Sequence, residues 1–163
     1  MAAERRPRGG YARALEWFGR TPVGDFFTKR VAPNVDPPLL HLSGGRFSSV
    51  YPIPVMMLTT IGAKSGLRRE LPLAYAVDGD SLILIASNYG RPGHPAWYRN
   101  LIANPRVEVL AGKFSGTYTA SEIVDAAERS AAWEQAVDVY AGYDDYVVRA
   151  GDRTIPVVRL TRT

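Results

Sequence analysis

Leu58-Thr59-Thr60-Ile61-Gly62-Ala63-Lys64-Ser65-Gly66-Leu67-Arg68-Arg69-Glu70-Leu71-Pro72 is the stretch on which the reading turns. An apolar strand pattern stops at a turn holding two glycines and three cations, and a second strand pattern follows. Gly62 and Gly66 carry no Cβ, so the backbone can bend sharply there and approach a ligand closely. Lys64, Arg68 and Arg69 supply positive charge. Thr60, Ser65 and the turn's N–H groups can donate to phosphate oxygens. The stretch reads as a phosphate-gripping hairpin, and equally as an ordinary solvated hairpin connection. It is neither a Walker loop nor a dinucleotide fingerprint, because the glycine spacing of both is missing.

Working outward, strand patterns dominate from residue 55. Val55 to Ile61 and Glu70 to Val77 are expected strands, and Asp78-Gly79-Asp80 is a hairpin turn. Ser81 to Ala86 is apolar throughout, as a buried strand would be. Val107 to Leu110 and Phe114 to Ile123 pair across Ala111-Gly112-Lys113, and Arg153 to Leu160 is a last strand, with Pro156 marking an edge or bulge. Two helices interrupt them. One begins near His94-Pro95, carries Ala96 to Ile102 and ends at Asn104-Pro105. The other runs from about Asp125 to Tyr140, with Asp125 and Glu128 as its capping pair. Residues 33–54, rich in Pro, Gly and Ser, read as an irregular connection. The sum is a small α+β barrel of antiparallel strands with peripheral helices.

The length of 163 residues suits one domain, expected at 33–163 behind a basic extension at 1–32. Hydrophobic residues make up 46%, enough for a core, and no run is long enough to span a bilayer as a helix. There is no cysteine, which excludes disulfides, iron–sulfur clusters and thiolate chemistry, and fits a cytoplasmic protein. His41 and His94 are the only histidines, so no metal site is expected. The first thirty residues hold seven cations against three carboxylates, the whole net charge of +4. The rest of the chain is balanced, so a nucleic-acid-binding face is not expected. Helices are expected over Tyr11 to Phe18 and from Pro22 to about Val31. Their Arg, Lys, Trp and Phe residues suit either docking on the domain or peripheral contact with the inner face of the plasma membrane.

Further motifs recur in order: Arg69-x-x-Pro72-Leu73, Ala86-Ser87-Asn88-x-Gly90, and His94-Pro95-Ala96-Trp97-Tyr98-x-Asn100-Leu101-x-Ala103-Asn104-Pro105. Tyr140-x-x-Tyr143-x-x-Tyr146 and Arg153-x-Ile155-Pro156-Val157-Val158 complete the set. With the Leu58–Gly66 segment, this set resembles the deazaflavin-dependent nitroreductases and quinone reductases of actinobacteria over roughly residues 50–161.

The resemblance implies a split β-barrel that binds coenzyme F420 and reduces quinones, nitroaromatics or related electrophiles by hydride transfer. It assigns Lys64 and Arg69 to the phosphate region, with Thr60, Arg68 and Pro72 nearby and Ser65 and Gly66 as a backbone cradle. Ser87, Asn88, Ala96, Trp97, Tyr98 and Asn100 would surround the deazaflavin ring. Asn100 also reads as the brace of a local turn, and Trp97 as core. Ala74, Tyr140, Tyr143 and Tyr146 would shape the acceptor pocket, with Ser87 and Tyr143 orienting the acceptor or stabilising its new charge. Ala63 stands where many relatives carry arginine, and Arg68 is the expected compensation. Ala74 stands where some carry an aromatic residue, which implies a wider pocket. The alternatives are an FMN-dependent split-barrel oxidoreductase and a non-enzymatic cofactor or lipid carrier. Monomer and homodimer both stay open.

Overall fold

The computed structural model describes residues 32–163, so both helices expected before Ala32 lie outside the described residues. Its spine is the hairpin of β1 (Val55–Ile61) and β2 (Arg68–Ala74), paired residue for residue from Val55 opposite Ala74 to Ile61 opposite Arg68. β1 is buried on both faces. Met56 and Leu58 point into the main core, and Val55 and Met57 pack with Leu40 on the other side. That two-sided burial explains its unbroken apolar run.

β3 (Ala76–Asp78), β4 (Ser81–Ile85), β5 (Arg106–Leu110), β6 (Gly116–Glu122) and β7 (Val157–Arg162) complete one antiparallel sheet in the order β2-β1-β5-β6-β7-β4-β3. The expected strand from Glu70 to Val77 is corrected here. It is two strands at opposite edges of the sheet, separated by Tyr75 alone. Tyr75 is buried, donates its N–H to Pro54 at 3.2 Å and meets the Phe114 ring edge-on at 6.2 Å. One residue can bridge two edges only where the sheet has curled nearly closed, so the sheet is a half-barrel with a seam between them.

The last strand also starts later than expected, at Val157. Ile155 and Pro156 are a buried lead-in whose Pro156 carbonyl accepts the Ala86 N–H at 2.9 Å. Likewise the strand expected from Phe114 starts at Gly116, after a 3-10 turn over Gly112–Phe114.

Among the described residues, four α-helices dress the sheet. α1 (Ala32–Ser43) overturns the irregular connection expected at its sequence. Pro37 and Pro38 lie inside it and each removes a backbone donor. Burial of Asp36 and Leu40 on one side offsets that loss, an influence invisible to local composition. Residues 44–54 remain irregular. α2 (Ala96–Ala103) caps one end of the barrel through Trp97 and Leu101. α3 (Ala126–Val139) starts as expected, with the Asp125 side chain accepting the Glu128 N–H at 2.9 Å. α4 (Gly142–Ala150) adds buried Tyr143 and Tyr146 to a second core that includes Ile83, Ile85 and Val157. Main-core truncations such as Leu58→Ala would cost about 2–5 kcal/mol.

Candidate functional site

The barrel seam opens into a cavity of about 360 Å³, within the range that holds a cofactor or small ligand. One wall is Leu71–Ala74 of edge strand β2. A second is the end of β4 with Ser87, Asn88 and Tyr89, together with Pro95 and Trp97. A third is Tyr140, Tyr143 and Tyr146, and a fourth comes from α1 and residues 49–55.

The Ser87–Gly90 turn is held against its own preference. Asn88 and Tyr89 sit at φ 50° and 57°, a region that side chains rarely adopt. The strain is held from several sides. Arg153 Nη2 donates to the Ser87 carbonyl at 2.7 Å, and the Gly90 N–H reaches the same oxygen at 2.9 Å. Asn88 Nδ2 closes the loop onto the Gly93 carbonyl at 3.2 Å. Gly90 lies so close to α4 that a Cβ there would meet the Cβ of Arg149 at 2.5 Å. Strand, turn and tyrosine helix therefore form one rigid wall. Ser87 itself is 9% exposed and lines the cavity.

The three tyrosines pack against one another with ring centroids 5.3 to 6.3 Å apart. The Tyr140 and Tyr146 hydroxyls are 3.2 Å apart. Burial, and then the neighbouring Tyr140, push the Tyr143 phenol well above its ordinary range. Burial, and then Tyr140, do the same to Tyr146. Both therefore remain neutral donors at any physiological pH, which suits them to stabilise negative charge arising on a bound acceptor.

The hairpin tip lies beyond the cavity. The Gly62 N–H reaches the Leu67 carbonyl at 2.9 Å and the Gly66 N–H the Gly62 carbonyl at 2.8 Å, so the tip is internally closed. α2 clamps it from one side. Asn100 Oδ1 accepts the Ala63 N–H at 3.0 Å, its Nδ2 donates to Thr60 Oγ1 at 3.1 Å, and Asn104 Nδ2 donates to the Ile61 carbonyl at 3.3 Å. The tip cations divide into two groups. Arg68 bonds Glu70 at 3.2 Å and Glu108 at 2.9 Å. Lys64 and Arg69 form no ion pair with any described residue. Arg69 pairs across from Thr60 and shares the strand face of Leu71 and Leu73, which enter the cavity. On that face successive residues are about 6.6 Å apart, so a cationic tip leads directly into an apolar pocket.

Of the residues singled out in the sequence, Pro72, Ala74, Ser87, Asn88, Trp97, Tyr140, Tyr143 and Tyr146 line the cavity together. Thr60, Lys64, Ser65, Gly66, Arg68, Arg69 and Asn100 lie at or beside the hairpin tip, outside the cavity lining. Ala96 is exposed. Tyr98 turns away and donates to Glu122 at 2.6 Å; burial and this bond push its phenol up to about 12. Sequence reasoning missed Asp36, Ser49, Val50 and Ile53, which come from a segment whose helix was not anticipated. It also passed over Tyr89, though Tyr89 sits inside the Ala86–Gly90 motif.

Comparison with known proteins places the chain among relatives. A family model described as F420H(2)-dependent quinone reductase matches residues 40–162. An F420H(2)-dependent quinone reductase of Mycobacterium tuberculosis is 39% identical over 111 residues, covering 67% of this chain and 74% of that protein. A putative F420H(2)-dependent quinone reductase of Mycobacterium bovis matches equally. Among solved structures, an F420-H2 dependent reductase called FDR-A is 38% identical with a TM-score of 0.58, covering 66% of this chain and 93% of that one. Another, described as a domain-swapped dimer, is 33% identical with a TM-score of 0.61, covering 76% and 94%. A haem storage protein of Vibrio cholerae, 12% identical with a TM-score of 0.51, shares the fold alone.

Proposed function

The chain belongs to the F420H(2)-dependent quinone reductase family, and from that premise we propose that it carries reducing equivalents from reduced coenzyme F420 to a quinone. One observation carries the reading: Lys64 and Arg69, which form no ion pair with any described residue, belong to the hairpin whose strand β2 also lines an apolar cavity walled by Trp97 and three tyrosines. The coenzyme joins a phosphate-bearing, anionic chain to a flat ring, and that distribution of charge fits this site.

When bound, the coenzyme supplies the hydride chemistry; the protein binds, orients and excludes water. Lys64 and Arg69 would hold the phosphate, with the exposed Ser65 side of the turn beside them. Trp97 offers a flat apolar wall, and Asn88 and the Ser87 hydroxyl offer polar contacts on the strained turn. Tyr143 and Ser87 would donate to the acceptor oxygen as it gains charge. Arg68, bonded to Glu70 and Glu108, is a poor substitute for the arginine that Ala63 lacks. Nitroaromatics are a second acceptor class that the same donors would serve.

Titration of the purified protein with F420 and with FMN, read by tryptophan fluorescence, tests the coenzyme. Preference for F420 together with quinone-dependent oxidation of F420H2 supports the reading; preference for FMN overturns it.

We also propose a cytoplasmic location with peripheral contact at the inner face of the plasma membrane. The basic and aromatic residues of the 1–32 segment support it, as do Leu42 and Phe47, which are 88% and 61% exposed. Sedimentation with anionic vesicles, with and without residues 1–32, tests it; equal sedimentation of both forms would place the contact elsewhere, and none in either would remove it.

A further inference from the structure

The α1 wall of the cavity contains a buried carboxylate with no ion-pair partner among the described residues. Asp36 is 2% exposed and lines the cavity. Its Oδ1 accepts the Ser49 N–H at 2.6 Å, and no described residue forms an ion pair with it. The Ser49 hydroxyl, also in the lining, is buried without a hydrogen-bond partner. Their neighbours Ala32, Val50, Ile53 and Val55 contribute carbon surface. A buried hydroxyl without a partner, beside a buried carboxylate bonded to a single backbone N–H, is costly in such a wall, and a ligand that completes the pair removes the cost. Asp36 also precedes the residues that the family model matches.

We propose that Asp36 and Ser49 form an acceptor-recognition pole, selecting quinones that carry an uncharged hydrogen-bond donor and rejecting anionic ones. The proposal rests on the reading of the cavity as the site of quinone reduction. Carboxylate oxygens accept hydrogen bonds, so the ligand group that completes this pole is a hydroxyl or an N–H donor. A second carboxylate placed against it would meet like charge at a largely apolar wall, where repulsion is stronger than at an open surface. Discrimination between acceptors with and without a hydroxyl is large when the site's polar groups would otherwise stay unpaired.

The test compares three naphthoquinones with methyl, hydroxymethyl or carboxymethyl substituents at the same carbon. Values of kcat/KM are measured with F420H2 for the wild type, Asp36→Asn and Ser49→Ala, alongside the Kd for F420. Asp36→Asn retains an acceptor for the Ser49 N–H, and Ser49→Ala leaves the carboxylate in place. The wild type should favour hydroxymethyl over methyl by roughly 10-fold and use carboxymethyl poorly. Asp36→Asn should bring the first ratio toward one and raise relative use of carboxymethyl roughly 10-fold. Ser49→Ala should lower only the hydroxymethyl preference, and F420 affinity should not move. Unchanged ratios in an active Asp36→Asn protein overturn the recognition pole alone, and so does a shift confined to F420 affinity. A folded wild type that oxidises F420H2 with none of the quinones overturns the quinone reading, and the pole with it.

Discussion

Asn100 on α2 accepts the Ala63 N–H of the hairpin tip at 3.0 Å, across 37 positions of sequence. The same side chain donates to Thr60 at 3.1 Å, and one turn earlier on α2 Trp97 enters the cavity. One short helix thus links the cationic tip to the apolar pocket. Asn100→Ala would remove both bonds, each worth about 0.5–1.5 kcal/mol. The expected result is a modest loss of thermal stability and a roughly 10-fold weaker Kd for F420. Affinity for the ribityl deazaflavin fragment without phosphate should change little; equal weakening of both ligands would mean a general loosening of the site instead.

The contrast among the tip cations predicts unequal effects. Lys64→Ala and Arg69→Ala should each weaken F420 binding roughly 10-fold or more, because each removes a charge-assisted contact to the phosphate. Arg68→Ala should leave the affinity close to wild type, since its guanidinium is turned to Glu70 and Glu108. Fluorescence titration of the three variants decides, and an Arg68 effect as large as that of Arg69 would refute the division.

Tyr143→Phe keeps the ring and removes the donor. If Tyr143 stabilises charge on the acceptor, kcat should fall roughly 10- to 100-fold while the Kd for F420 holds. Because burial raises the phenol's pKa, its proton stays in place through the range where a free tyrosine ionises, near 10. The wild-type rate should therefore show no loss with that midpoint on the alkaline side. A pH–rate profile checks this directly.

Asp78 joins three elements: Gln135 of α3 donates to Oδ1 at 3.1 Å, and Arg159 of β7 to Oδ2 at 2.6 Å. These bonds, Gln135 first and then Arg159, hold its carboxyl below the ordinary range. The stabilisation is complete above the unfolded pKa of about 4 and disappears as pH falls through the lower folded value. Asp78→Asn should destabilise the protein at pH 7 by about 1 kcal/mol or more, and the gap should narrow below about pH 4. Urea denaturation at both pH values measures it.

Gly90 is at φ +74° with the Cβ of Arg149 in the space its own Cβ would need. Gly90→Ala should destabilise by roughly 1–3 kcal/mol and loosen the Ser87–Gly90 turn. Denaturation midpoints report the first effect, and a parallel loss of F420 affinity reports the second.

Much of this molecule was legible in one dimension. The alternation and apolar runs of the strands, the Asp125 cap and the proline-bounded α2 depend on neighbours within a few residues, and local chemistry decides them. The site residues singled out in the sequence included eight that line the cavity, and the tip beside them. Three things needed the folded chain. Tyr75 divides one apparent strand between two sheet edges because curvature, a property of the whole sheet, brings those edges together. α1 persists through Pro37 and Pro38 because Asp36 and Leu40 are buried by residues distant in sequence, and with it came the cavity's fourth wall. Which cations remain available was set by register: Arg68 faces Glu108 on β5, while Arg69, one residue on, lies on the opposite face, shared with Leu71 and Leu73. Alternation along a strand is written in the sequence, but the partner waiting on each face is chosen by tertiary structure.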